Sequence, residues 1–222
     1  MGTLYVVSTP IGNLEDMSFR ALRILKEVDF VLCEDTRVTK KLLSHYEINV
    51  PTETYNQHSE VAVMEGISAN LEEGKNIALV TDAGTPGVSD PGNQLIQYLV
   101  QKNPDSLIVP IPGPSAVAAI ASVAGIAMDK FVFLGYPPAK NKRKKYFQNV
   151  VEAEYPVIFY ESPHRIFKSL KELEEIDESI SLVVGRELTK KFESIYRGNI
   201  KDIQEELGTD GIKGEFVVIV GK

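Results

Sequence analysis

Thr81-Asp-Ala-Gly-Thr-Pro-Gly-Val-Ser-Asp-Pro-Gly92 follows the apolar run Ile77-Ala-Leu-Val80 and precedes a helical pattern that resumes near Gln94. Gly84, Gly87 and Gly92 permit backbone angles closed to other residues and let a ligand approach the main chain. Pro86 and Pro91 fix their own φ and push their neighbours toward extended geometry, which stiffens the loop. A stiff glycine loop beyond the carboxyl end of a buried strand is where open α/β sheets hold ligands. Ile111-Pro-Gly-Pro-Ser-Ala116 repeats the design after the next apolar run, and Ser8-Thr-Pro-Ile-Gly-Asn-Leu14 offers a third such loop after the first. The fold implied is therefore α/β, with a ligand site at the edge on which three Gly/Pro loops converge.

Outward from these loops, the first half alternates strand-like and helix-like segments. Strands are expected at 3–7, 30–34, 77–81 and 107–111, with a weaker one near 51–55, and helices at about 18–28, 37–46, 59–73, 94–101 and 115–124. Near-continuous apolar strands separated by helices indicate a mostly parallel, doubly wound sheet covered on both faces. The second half has strands expected at 131–134, 157–160, 182–184, 192–196 and 216–220, and helices near 142–151, 166–175 and 200–207. The strands around Leu182 and Ile195 stand too close for a crossover helix and should pair antiparallel in a mixed sheet. Two domains are expected, 1–113 and 114–222, each α/β, with a small ligand in the cleft between them.

Composition narrows the classes. In 222 residues, 43% are apolar and 25% charged, which describes an ordinary soluble globular chain. A net charge of -7 disfavours indiscriminate nucleic-acid binding without excluding a local basic patch. Cys33 is the single cysteine, so no disulfide framework can form, and this suits a reducing compartment. Met1 leads straight into a strand pattern with no signal-peptide signature. The apolar stretch from Ala116 to Met128 is too short to span a bilayer and reads as a packed helix. A cytoplasmic protein without a membrane segment is the expectation.

Several chemistries fail on spacing. No dinucleotide fingerprint follows the first strand and no P-loop occurs. Gly113-Pro-Ser-Ala-Val117 lacks the closing glycine of a nucleophile elbow. His45, His58 and His164 are too scattered to suggest zinc, and no metal is expected. What remains is polar residues at strand ends: Glu34-Asp-Thr-Arg37, Tyr160-Glu-Ser-Pro-His-Arg165 and Gly185-Arg-Glu-Leu-Thr-Lys190. Asp35 or Thr36 could simply cap the following helix, but capping would not account for the whole set. Lys140-Asn-Lys-Arg-Lys-Lys145 puts five positive charges in six residues of an acidic chain, either as a solvated helix start or as a phosphate contact.

Thr9-Pro-Ile-Gly-Asn-Leu-Glu-Asp16, Cys33-Glu-Asp-Thr-Arg37, the loop 81–92, Pro112-Gly-Pro-Ser-Ala116, Phe133-Leu-Gly-Tyr-Pro137 and Tyr160-Glu-Ser-Pro-His-Arg165, taken in order, resemble the tetrapyrrole methylase superfamily. Within it they are similar to the members that act on ribosomal RNA. The resemblance implies two α/β domains, a homodimer, and an S-adenosyl-L-methionine-dependent enzyme that methylates the ribose 2′-oxygen of a cytidine in small-subunit ribosomal RNA. It places cofactor contacts on Ile11, Thr85, Val88, Ser115 and Ala116, beside Gly84 and Gly87 of the glycine loop. In the second half it places them on Glu161, Leu188, Gly214 and Glu215. Relatives acting on tetrapyrroles commonly carry aspartate where this chain has Thr85. Ribosomal members often continue past the last strand, whereas this chain stops at Lys222.

For such a reaction a carboxylate should assist removal of the ribose proton, with Asp35 the first choice and Glu187 the second, and Arg37 orienting the carboxylate or a phosphate. Lys142, Arg143, Lys144 and Lys145 are expected against the RNA backbone. The rival readings are a methyltransferase of a tetrapyrrole or other small molecule, and a non-catalytic cofactor-binding module.

Overall fold

A computed structural model describes residues 1–56, 59–210 and 213–221, apart from the Asp210 side chain; Gln57 and His58 thus lie outside the described residues. The chain forms two compact units, Met1–Ser115 and Ala116–Lys222.

The first unit holds β1 (Thr3–Val7), β2 (Phe30–Cys33), β3 (Thr52–Thr54), β4 (Ile77–Leu79) and β5 (Leu107–Ile111), with helices α1 (Phe19–Glu27), α2 (Thr36–His45), α3 (Val61–Glu72) and α4 (Gly92–Lys102). All five strands are parallel, in the order β3-β2-β4-β1-β5. The strands are apolar along their length because both faces are covered. Leu4, Val6, Leu32, Ile77 and Leu79 pack with Ile67 and Leu71 of α3 and Leu95 and Leu99 of α4. On the opposite face Val7, Val31, Cys33 and Ala78 meet Ala21, Ile24 and Leu25 of α1 and Leu43 of α2. Each aliphatic side chain buried this way contributes roughly 1.5–3 kcal/mol. The helix starts are local: Ser18 accepts from the Ala21 amide at α1 and Asp35 from the Arg37 amide at α2.

The second unit opens with α5 (Ala116–Ser122), followed by β6 (Val132–Phe133), α6 (Arg143–Glu152), β7 (Val157–Glu161), α7 (Ile166–Glu174), β8 (Ser181–Arg186), β9 (Ser194–Asn199), α8 (Ile200–Asp210) and β10 (Phe216–Val220). Its sheet runs β6-β7-β10-β8-β9, with β6 and β7 parallel and the other pairs antiparallel, so the mixed sheet and the antiparallel pairing of the strands around Leu182 and Ile195 are as the sequence indicated. One face carries α6, α7 and α8 through Phe147, Val150, Leu170, Leu173, Ile203 and Leu207. On the other, a Cβ added at Gly185 would meet Ile120 Cδ1 of α5 at 2.8 Å and Val217 Cγ1 at 3.1 Å. Gly185 is therefore what lets α5 close on the sheet.

Element ends moved where the backbone turns left-handed. β9 begins at Ser194 rather than Phe192, because Glu187 and Thr189 take φ of 50° and 66° in the turn between β8 and β9. α6 starts at Arg143, one residue after Lys142 at φ 66°. The apolar stretch after Ala116 stops its helix at Ser122, and Gly125 follows with φ 76°. Among the described residues no helix is long and apolar enough to cross a membrane.

Candidate functional site

The three Gly/Pro loops of the first unit are tied to one another. Thr9 and Gly84 exchange backbone hydrogen bonds, N to O at 2.9 and 3.1 Å. The Ser8 hydroxyl donates to Thr85 Oγ1 at 3.0 Å, and the Thr85 hydroxyl donates to the Pro114 carbonyl at 3.1 Å, linking all three loops through two side chains. The Thr9 hydroxyl donates to the Thr81 carbonyl at 3.1 Å. Gly113 passes so close to the first loop that an added Cβ would lie 2.9 Å from Ser8 Cβ. Gly84 and Gly87 both have φ of 86°, and a Cβ on Gly84 would meet Ile11 Cγ2 at 3.3 Å. Asp90 then fixes the far end of the glycine loop, accepting from the amides of Gly87, Val88 and Gly92 at 2.9, 3.2 and 2.7 Å. Ile11, Gly84, Thr85, Gly87, Val88 and Ser115 thus belong to one rigid loop cluster, and Ala116 follows Ser115 as the first residue of α5.

Beside this cluster lies a cavity of about 620 Å³ whose lining includes Glu34, Asp35, Asn56, Asp82, Asp90 and Asn93. Arg37 holds Asp35 through Nη2 to Oδ2 at 2.7 Å and Nε to Oδ1 at 3.1 Å, and its amide donates to the same carboxylate at 2.8 Å. These bonds hold the Asp35 carboxyl down at about 2. Asp35, the first choice as base, is thus held in its ionised form. A carboxylate whose lone pairs serve a helix cap and a guanidinium is a weak proton acceptor. The carboxylate that residue spacing failed to single out is Asp82. Desolvation pushes its pKa up, and the neighbouring Asp35 charge adds to the effect, while its Oδ1 accepts from the Asp35 amide at 3.3 Å. It lies inside the glycine-loop motif, but its basicity comes chiefly from burial in the folded chain, which residue type does not report. Glu34 bonds the Thr81 hydroxyl beneath the same edge.

In the second unit Glu161 is 1% exposed; it accepts from the Ser162 amide at 2.7 Å and the Ser169 hydroxyl at 2.5 Å, and pairs with Arg165 Nε at 2.9 Å. Arg143 Nη1 lies 3.8 Å from the same carboxylate, and Arg143 also pairs with Glu172 at 2.7 Å and donates to the Pro138 carbonyl at 3.0 Å. Arg143 is only 4% exposed and turns inward, unlike the other cations of the run, whereas Lys142, Lys144 and Lys145 remain on the surface. The Glu161 carboxylate is engaged by its neighbours.

Glu187 sits at the turn after β8. Desolvation works to raise its pKa, but Lys190 Nζ at 2.8 Å and the Glu215 amide at 2.9 Å outweigh it and leave the carboxyl lowered. Lys190 also reaches Glu215 at 2.8 Å, and Gly214, at φ 114°, has no room for a Cβ beside the Glu187 side chain. Glu187, Gly214 and Glu215 therefore form one group, with Leu188 buried next to it. Among the described residues no set of three or more His, Cys, Asp or Glu side chains is placed to hold a metal ion.

Two α/β sheets joined in this order, with glycine loops at the strand ends, define the class. The chain belongs to the tetrapyrrole (corrin/porphyrin) methylase family, whose pattern matches residues 3–204. It is 41% identical over 222 residues to ribosomal RNA small subunit methyltransferase I of Synechocystis sp., covering 99% of this chain and 79% of that one. Against the protein of the same name from Bacillus subtilis it is 42% identical over 221 residues, covering 99% and 75%. The fold also matches a solved cobalamin biosynthetic enzyme, cobalt precorrin-4 methyltransferase, with a TM-score of 0.70 at 19% identity, covering 99% of this chain and 94% of the other.

Proposed function

We propose that this chain is an S-adenosyl-L-methionine-dependent methyltransferase that methylates the ribose 2′-oxygen of a cytidine in small-subunit ribosomal RNA. The observation that carries this reading is identity of 41–42% along essentially the whole chain to two relatives named for that RNA. The tetrapyrrole alternative has the broad family and a fold match at 19% identity behind it, and no such full-length identity.

The loop cluster suits the cofactor. It offers a main chain left open to close approach at Gly84 and Gly87, held in place by the Ser8, Thr85 and Asp90 bonds, and apolar surface from Ile11 and Val88. When bound, S-adenosylmethionine supplies an electrophilic methyl group on sulfur. The protein's own part is to hold the loops still, to orient the ribose and to take up its proton as the oxygen–carbon bond forms and the sulfur–carbon bond breaks. Asp82 is the better placed acceptor, and Asp35, fixed by Arg37, serves to orient it through the amide contact at 3.3 Å. Glu187 remains the second candidate, with its proton affinity reduced by Lys190. Positioning supplies much of the acceleration, and a general base adds on the order of a hundredfold to ten-thousandfold. Family resemblance supports a homodimer working in the cytoplasm.

The deciding experiment is transfer of labelled methyl from S-adenosylmethionine to purified small ribosomal subunits, with uroporphyrinogen in parallel. Label in the subunit RNA as 2′-O-methylcytidine upholds the reading. Label in the tetrapyrrole alone overturns it.

A further inference from the structure

We infer that Tyr136 is a stacking platform for an unpaired base of the substrate RNA, an inference that rests on the proposed RNA substrate. Tyr136 is 51% exposed although it belongs to an otherwise packed aromatic group. Tyr160 stands beneath it at 5.4 Å between centroids, and Phe133 meets Tyr160 edge-on at 4.9 Å. The segment that carries Tyr136 is held on both sides. The Gly135 carbonyl accepts from the Tyr160 amide at 2.9 Å, the Pro137 carbonyl from Arg165 at 3.2 Å and the Pro138 carbonyl from Arg143 at 3.0 Å. Both arginines are themselves locked on the buried Glu161. A large ring kept out in solvent on so stiff a support loses little freedom when a flat partner covers it.

Charge identifies that partner. Lys140, Lys142, Lys144 and Lys145 follow within nine residues, all exposed, and the last three surround the start of α6, where no acidic residue balances them. Cations are disfavoured at a helix N-terminus, because the helix dipole is positive there. Three lysines at that end therefore cost stability and concentrate positive charge on the segment that follows the ring, outside the nearer group of Glu215, Glu161 and Arg165. An exposed aromatic face flanked by such charge is how proteins take hold of single-stranded nucleic acid, the ring stacking on a base and the lysines meeting phosphates.

The test compares wild type, Tyr136→Ala and Tyr136→Phe for methylation of small subunits across subunit concentration. Sedimentation and cofactor calorimetry are run on each. Tyr136→Ala should raise KM for subunits about tenfold or more with a smaller change in kcat, since a lost stacked base weakens ground and transition states alike. Tyr136→Phe, which keeps the ring, should restore KM, and cofactor affinity should be the same in all three. Wild-type KM in both variants overturns the inference while leaving the RNA reading intact. Equal loss in both variants also overturns it, because the hydroxyl and not the ring would then matter. A change of sedimenting mass in Tyr136→Ala assigns the ring to a protein contact and overturns it as well. If the wild type itself fails on small subunits, the RNA reading falls and this inference falls with it.

Discussion

Thr9 and Gly84 pair as a single antiparallel bridge between two loops that leave parallel strands, 75 residues apart in the chain. The bridge needs a glycine at position 84, because φ there is 86° and Ile11 Cγ2 waits 3.3 Å from any added Cβ. Gly84→Val should open the cluster and abolish the rise in melting temperature caused by S-adenosylmethionine. In the wild type, ligand at about a hundred times its dissociation constant stabilises by roughly 2.7 kcal/mol. Calorimetry showing unchanged affinity in Gly84→Val would remove the cofactor from these loops.

Acid should act on Asp35 in a defined window. Its folded pKa of about 2 lies below the ordinary value near 3.9. The stabilisation from its Arg37 bonds is thus fully present above about pH 4 and is lost as pH falls toward 2. Arg37→Ala should return the carboxyl toward 3.9, as carbon-13 NMR titration of the side chain would read. A titration that stays near 2 in the variant would place the cause in the helix cap alone.

Arg143 and the three lysines should behave as opposites. Replacing Lys142, Lys144 and Lys145 together by alanine should flatten the salt dependence of subunit binding by up to roughly two logarithmic units, at about 0.7 per phosphate contact, with little effect on folding. Glu161→Gln should instead cost about 3 kcal/mol in urea unfolding, because it removes the buried charge that Arg165 pairs with and leaves the buried Arg143 with Glu172 alone. Parallel salt slopes for wild type and the lysine variant would take this run away from RNA.

Tyr146 offers a check on the same interior. Its hydroxyl is buried with no hydrogen-bond partner, and desolvation pushes its pKa far up. Tyr146→Phe removes an unsatisfied polar atom and should be neutral or stabilising by up to about 1 kcal/mol in the same unfolding assay. A loss of more than 1 kcal/mol would mean the hydroxyl is satisfied in solution.

Most of the fold was legible because both sheets are written as apolar runs whose period and punctuation are local. The loops were legible for the same reason, since Gly84, Gly87, Pro86 and Pro114 announce their backbone geometry where they stand. Arg143 was not. In sequence it is one of five cations in a hydrophilic run, and only the first turn of α6 rotates it inward toward Glu161 and Glu172 while its neighbours face water. Asp82 escaped for a related reason, as its raised pKa comes chiefly from desolvation by the fold around it. Charge placement is a tertiary property, and residue type alone does not report it.

The strand order of the first unit has a consequence for synthesis. β1 leaves the ribosome well before its partners, β4, beginning at Ile77, and β5, ending at Ile111. Until β4 has emerged its apolar residues have no partner strand, and β10, the central strand of the second unit, follows all four strands of its sheet. The nascent chain thus carries an unpaired, aggregation-prone strand across some seventy residues of synthesis, and the second sheet is completed only when Phe216–Val220 is made. Translation speed and chaperone supply become determinants of yield for a chain whose finished sheets have no such weakness.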